Sequence, residues 1–500
     1  MKTETTLLLL LALLPWGLCG QETPGEELPV REHTLENGLR LLVLPREGAP
    51  TVSFVVQYPI GGVNEVPGVT GISHLLEHLL FKGTSSIGTR DYEAELPLFA
   101  EMDLIHDSIL AERQGPSPDR DRIHALREKI RALEVEASEF VVSNEFDAIL
   151  SENGARGLNA TTTSESTTYF VELPSNRTEL WFILEADRMR NPVFREFYTE
   201  RDVVAEERRL RLEDNPPGVL YEIHLAEAFL EHPYGAPVVG TMEDINGLTR
   251  SGVQEYFRRF YGPNNAVVVV VGDLDPDEVL EWSESYLGPI PPGVSPLPVQ
   301  VQEPKQEAER RVDLHLDAEP GLRIGWKVPS VVHEDAPALS MLASILTGGR
   351  SSRLYRRLVL EDRIATAVTS GTVPGSLYPG LFSVESVPRS PHTTEEVETA
   401  IYEEIQRLKD EGPEEMELQR VRNQLEASGI RRLSSNLGLA LQMAQSETLL
   451  GDWRETFAAT RAMEEVTPED IREVVRRYFR DDQRTVATLR RSSPPQGGSP

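Results

Sequence analysis

The chain has 500 residues, with 50 Lys and Arg against 81 Asp and Glu, so its formal charge is −31. That balance argues against a nucleic-acid partner, because neutralising phosphates needs a basic face. Hydrophobic residues make up 39% of the chain and Gly and Pro number 36 each, a composition suited to packed globular domains, about two to four at this length. The one cysteine, Cys19, excludes an internal disulfide framework and a thiolate metal site, so any metal must be held by His, Asp or Glu.

In chain order, Lys2, the apolar run Leu7 to Leu14, Pro15 and the exit Gly17-Leu18-Cys19-Gly20 have the layout of a secretory signal peptide, expected over residues 1–20. So short a run cannot span a bilayer, and no later segment reads as a transmembrane span. The mature protein is expected to be exported, periplasmic or extracellular. Lipid anchoring at Cys19 is the minority alternative, since it needs a small residue before the cysteine and Leu18 stands there.

Strand-like runs follow at Leu39 to Leu44 and Val52 to Tyr58, entered through the turn pair Asn37-Gly38. A helix carrying His74 comes next. Between Leu96 and Phe140 most residues are charged, but Ile123, Leu126, Ile130, Leu133 and Phe140 keep a heptad-like spacing after the break Gly115-Pro116-Ser117-Pro118. This predicts a helical hairpin, about 96–145, projecting from its domain as a solvated insertion or a partner-docking arm. Val267 to Val271 is too uniformly β-branched for a half-exposed strand and reads as a buried central one. The Pro-rich stretch from Pro291 to Pro304 marks a boundary. The expected units are therefore 31–290, a linker at 291–309, and 310–490, where strands at Leu322 to Val328, near Thr366 and near Phe382 alternate with helices. A disordered tail is expected at 491–500.

The residues that carry chemistry are His74-Leu75-Leu76-Glu77-His78. On a helix, positions four apart share a face, so both imidazoles can reach one cation, with Glu77 beside them. Two imidazoles and one oxygen ligand suit zinc with an open position, leaving Glu77 as a general base. The alternative, a surface or satisfied core His pair, conflicts with the surrounding leucines. A third ligand must come from elsewhere. Glu200 and Glu207, seven apart on a helix that runs to a stop at Asn215-Pro216-Pro217, share a face, which suits a ligand and a carboxylate supporting a ligand imidazole. Sequence spacing leaves Glu206 open as the ligand.

His74-x-x-Glu77-His78 has the inverted zincin order, and the chain resembles the pitrilysin/insulinase family of zinc metallopeptidases, in the branch of mitochondrial processing peptidase and its bacterial relatives. The stretches that carry the resemblance are Asn37-Gly38-Leu39, Gly71 to Thr84, Asn159-Ala160 through Phe170, Glu200-Arg201 to Glu207, His232-Pro233-Tyr234-Gly235, Pro263 to Asp273, and Ser351-Ser352-Arg353-Leu354. The resemblance runs from about Thr34 to Leu489. It implies an α+β fold of two homologous α/β sandwich domains, with the helical hairpin inserted in the first. It implies one zinc per chain, held by His74, His78 and Glu207, with Glu77 catalytic and Glu200 supporting a ligand. It also implies that Asn159 and Ala160 begin an edge strand that pairs with an extended peptide substrate.

Two departures qualify this. Glu207 lies 129 residues beyond His78, farther than the family's usual spacing, and the hairpin accounts for the excess. Active homodimeric relatives carry an Arg and, seven residues later, a Tyr after the Ser-Ser-Arg-Leu motif; here those positions hold Val359 and Thr366. The resulting expectation is an exported zinc metalloendopeptidase that hydrolyses unfolded peptides or small proteins, paired with a homologous second subunit that supplies the Arg and Tyr. The alternative is a non-catalytic, partner-binding subunit of the same fold. The net charge further predicts an acidic chamber that favours cationic peptides.

Overall fold

The computed structural model describes residues 28–491, so the expected signal peptide, Cys19 and the expected tail after Arg491 lie outside the described residues. Among the described residues no helix is long and apolar enough to cross a membrane.

Two mixed sheets organise the chain. The first holds β1 (Arg31–Thr34), β2 (Arg40–Pro45), β3 (Thr51–Tyr58), β4 (Arg156–Thr162), β5 (Thr167–Pro174) and β6 (Val267–Gly272), in the spatial order β1-β2-β6-β3-β5-β4. The second holds β7 (Arg310–Leu316), β8 (Gly321–Val328), β9 (Ala365–Val373), β10 (Gly380–Pro388) and β11 (Arg484–Arg491), in the order β7-β11-β8-β10-β9. In each sheet the first of these strands after β1 runs parallel to the last, and every other pairing is antiparallel. The two halves therefore repeat one topology, as the resemblance implied. Strands β7 and β11, which the sequence reading passed over, complete the second copy.

The helices of the first half include α1 (Ile72–Leu79), α2 (Tyr92–Gln114), α3 (Arg120–Ser138), α4 (Glu145–Glu152), α5 (Thr178–Arg190), α6 (Phe197–Arg208) and α7 (Pro216–Ala228), followed by three more at Met242–Gly247, Arg250–Phe260 and Pro276–Trp282. They pack mainly on one face of the first sheet, where Phe54, Val268 and Val270 meet Leu75, Leu76, Trp181 and Phe182. The opposite face is covered from the other half of the chain. Val267, Val269 and Val271 lie against Leu439, Ala440, Met443 and Ala444 of the helix Asn436–Leu450. This explains why the valine run has no polar face: each alternate side chain meets a different apolar layer, and all six residues of β6 are buried.

The covering is reciprocal. Helix α7 lies on the second sheet, placing Leu220 with Ala487 and Leu489, and His224 Nε2 3.2 Å from the Thr485 carbonyl oxygen. Gly325 permits that approach, since a Cβ there would sit 2.8 Å from His224 Cε1. Met443→Ala should leave a cavity in this shared layer and cost about 2–5 kcal/mol. Denaturant unfolding checks this, and a value near zero would mean that the layer is loosely packed.

The hairpin differs from the expectation of a projecting arm. Helices α2 and α3 pair as predicted, but they lie down on the first half, with Phe99, Met102, Ile109, Ile130 and Ala137 in its core. Polar clamps hold them there. Arg195 Nε donates to Glu95 at 2.9 and 3.0 Å, both side chains being 1% exposed or less. Arg250 and Tyr198 both reach Asp103. A seam of apolar residues on only one face led to the expectation of a self-contained hairpin, whereas the second contact is made by charged pairs that periodicity does not report.

Candidate metal centre

Helix α1 is only eight residues long, too short to persist without tertiary support. Its start is fixed from both sides. Gly71 takes φ +87°, and a Cβ there would come within 2.4 Å of the Val239 carbonyl oxygen. The buried carboxylate of Glu65 accepts from the backbone N–H of Gly71 (2.7 Å) and of Ser73 (2.9 Å), meeting free donors at the helix N-terminus. Burial nevertheless pushes the Glu65 pKa up to about 7, against the lowering effect of those two bonds.

The helix places His74 and His78 one turn apart, with ring centroids 4.9 Å apart. Helix α6 crosses beside it, so that Glu207 Oε2 lies 3.7 Å from His74 Nε2 and 3.6 Å from His78 Nε2. One ligand atom from each of the three residues falls within 4.8 Å of the others, the only such His/Cys/Asp/Glu group among the described residues. Glu206 points elsewhere and pairs with Arg209 at 2.6 Å. Beyond α6 the backbone widens into a π turn at Arg209–Glu213, from which Arg211 Nη2 reaches Glu207 Oε1 at 2.7 Å.

Glu200 lies behind the pair, as its seven-residue spacing from Glu207 required. Its Oε2 is 3.4 Å from His78 Nδ1 and its Oε1 is 2.6 Å from Lys82 Nζ. Burial opposes a charge on Glu200, but the bonds to His78 and Lys82 outweigh it and hold its pKa below the ordinary carboxylate range. Burial likewise opposes charge on His78, and the Glu200 bond with the charges of Glu200, Glu207 and Glu77 reverses the effect, raising its pKa. His74 is pushed down to about 3 by burial and by His78, so it is a neutral imidazole, and its buried Nδ1 has no hydrogen-bond partner.

Glu77 is raised above the ordinary range by burial, partly offset by a short hydrogen bond from the Thr162 hydroxyl. Thr162 ends β4, the outermost strand of its sheet. Asn159 and Ala160 lie in the middle of that strand, which begins at Arg156, opposite Phe170 and Tyr169. The cleft beside β4, between the halves, has a volume of about 460 Å3 and is lined by Gln57, Thr161, Ser166, Thr372 and Ser376, with Glu165 its one acid. Glu165 is itself consumed, accepting from Tyr234 and from the Ser376 (2.9 Å) and Leu377 (2.5 Å) N–H groups. The excess negative charge of the chain therefore does not line this cleft.

Sequence reasoning passed over Glu65, Lys82, Thr162 and Arg211. Lys82 alone had a local signal, four residues after His78; the others reach the site through the fold. In the second half, Val359 packs on the apolar core and the Thr366 hydroxyl donates to the Val387 carbonyl at 3.2 Å. The counterpart of α1, the helix Ala336–Thr347, carries no titratable side chain.

Comparison with known proteins places these features in one group. The model of the insulinase family, peptidase family M16, matches residues 41–100 and 134–242, and that of the peptidase M16 inactive domain matches residues 247–425. The interruption falls within the α2–α3 hairpin. The zinc protease PqqE of Helicobacter pylori is 28% identical over 475 residues, 93% of each chain. An uncharacterized zinc protease of Streptomyces coelicolor is 25% identical over 455 residues, 89% of this chain and 86% of its own. The crystal structure of a protease from Helicobacter pylori superposes with a TM-score of 0.77 at 26% identity, covering 92% of this chain and 99% of that one. With matches over well over half of its length, this chain belongs to the insulinase family of peptidases, M16.

Proposed function

We propose that the chain is an exported zinc metalloendopeptidase that hydrolyses unfolded peptides. The observation that carries this reading is the convergence of His74, His78 and Glu207 to within 4.8 Å, with Glu77 one helical position from His78. The donor set fits zinc: two imidazoles and a carboxylate are borderline ligands that leave a position open. The fit is also visible in the two imidazoles, whose Nε2 atoms lie 3.7 Å (His74) and 3.6 Å (His78) from Glu207 Oε2. When bound, zinc supplies Lewis-acid chemistry, polarising a carbonyl oxygen and acidifying water.

In this reading the protein side chains divide the remaining work. Glu200 fixes the ring of His78 through Nδ1, which leaves Nε2 directed at the centre. Arg211 steadies the second oxygen of Glu207. Glu77, with its raised proton affinity, takes the proton of the attacking water and later gives it to the leaving amine. Thr162 holds Glu77 in place by donating to its Oε2. Since Thr162 lies on β4, a peptide added along the free edge at Asn159 and Ala160 would run directly toward the base, bringing binding and chemistry into register.

The absent Arg and Tyr at Val359 and Thr366 support a pairing in which a homologous subunit supplies the groups that grip the peptide. Val359 has no donor and Thr366 is too short to replace a Tyr hydroxyl. Purified alone, the chain should bind zinc yet cleave peptides poorly, and gain activity on mixing with that homologue. Sedimentation and peptide-cleavage assays check this. A fully active homodimer, gripping peptide through Arg356 or Arg363, would overturn it.

A further inference from the structure

A small cavity lies between the hairpin and the back of α6, on the side of that helix turned away from Glu200 and Glu207. Arg113 of α2, Arg127 and Arg131 of α3, and Arg201 of α6 line it, with two acids, Glu134 and Asp202. Four guanidinium groups around one space is unusual in a chain whose acids outnumber its bases 81 to 50.

The charges are not matched locally. Arg131 turns to Glu128. Glu134 is committed to Thr199, accepting from its N–H and its hydroxyl at 3.0 Å each. Arg201 is enclosed, with 11% of its side chain exposed, and Asp202 is 3.9 Å away. Its Nη1 faces His106 Nε2 at 3.1 Å and the Leu248 carbonyl oxygen at 3.4 Å, while its Nε is buried with no hydrogen-bond partner. Among the described residues, neither Arg113 nor Arg127 has a carboxylate within 4.0 Å. Burial, and then the cations Arg201, Arg113 and Arg127, push His106 down to about 3, so it is neutral. Arg201, enclosed and with an unused donor, carries a desolvation cost that an anion would relieve, and Arg113 and Arg127 at the rim have no carboxylate to compete for one. The cavity measures about 40 Å3, several times the roughly 10–15 Å3 that one ordered water needs.

We propose that this cavity binds a small oxyanion of the phosphate class, held by Arg113, Arg127 and Arg201, and that the ion fastens the inserted hairpin to the helix bearing Glu200 and Glu207. Guanidinium forks approaching from three helices suit a tetrahedral ion, whose oxygens offer acceptors in several directions, better than a spherical or planar one. The ion would act as a rivet between the insertion and the back of the metal helix, without entering the substrate cleft.

Isothermal titration of the full chain with inorganic phosphate tests this, at constant ionic strength set by chloride, with acetate as a parallel ligand. The expected result is one saturable phosphate site that acetate does not match. Arg113→Gln combined with Arg127→Gln should weaken phosphate at least about tenfold, the loss expected for charge-assisted hydrogen bonds, with zinc content unchanged. Arg201→Gln should do the same. If that enclosed variant fails to fold, the double variant, at the more exposed rim, decides alone. Unaltered phosphate affinity in the double variant, absence of phosphate binding, or equal binding of acetate or chloride would each overturn the proposal.

Discussion

Glu77→Gln is expected to keep zinc near one per chain while lowering the peptide-cleavage rate by roughly two to four orders of magnitude, the contribution of a positioned general base. The amide is nearly isosteric and can still accept the Thr162 hydroxyl bond, so the site's shape survives while its proton acceptor does not. The proposed ligands His74, His78 and Glu207 are untouched, which separates loss of the base from loss of the ion. Chelation should abolish the activity of the parent protein, and zinc should restore it. Metal analysis alongside single-turnover cleavage of an unstructured peptide checks both arms. Full activity in the variant would exclude Glu77 as the base, whereas a parent protein that binds zinc and cleaves no peptide with or without its homologue would favour the partner-binding reading.

Arg195→Met is expected to destabilise the first half by about 3–5 kcal/mol, because it strands the buried Glu95 carboxylate without its partner. Arg195 also donates to the carbonyl oxygens of Lys82 (3.3 Å) and Ile87 (3.2 Å). One guanidinium thus ties the hairpin to the loop that leaves α1. Replacing both partners, Glu95→Leu with Arg195→Met, should recover much of the loss, since no uncompensated charge then remains. Chemical unfolding of the two variants checks this, and equal destabilisation would mean that Arg195 acts mainly through the two carbonyl contacts.

Much of the frame was legible along the sequence, and what escaped did so for identifiable reasons. The valine run of β6 announced burial on both faces, and the five residues from His74 to His78 announced two imidazoles on one helix face. The seven-residue interval placed Glu200 and Glu207 together, and the folded chain turns Glu206 outward. These signals are local, resting on the periods of helix and strand. The layer that covers β6 is not local: Met443 and Val269 are neighbours only because the second half folds over the first. Thr162 and Glu65 likewise reach α1 across the fold, and no spacing rule reports such contacts. The hairpin was recognised but its posture was not, because its outer contacts are made by Asp103, Glu95 and Glu134, which read in the sequence as solvated charge.

The exchange of covering helices between the halves has a mechanical consequence. A single cut in the Pro-rich segment between residues 291 and 304 would sever the peptide connection and leave both shared apolar layers in place. Nicked protein should therefore migrate as one particle until a denaturant pries the layers apart. Either half made separately would carry a bare hydrophobic sheet face with nothing to shield it, and would aggregate unless it met its complement.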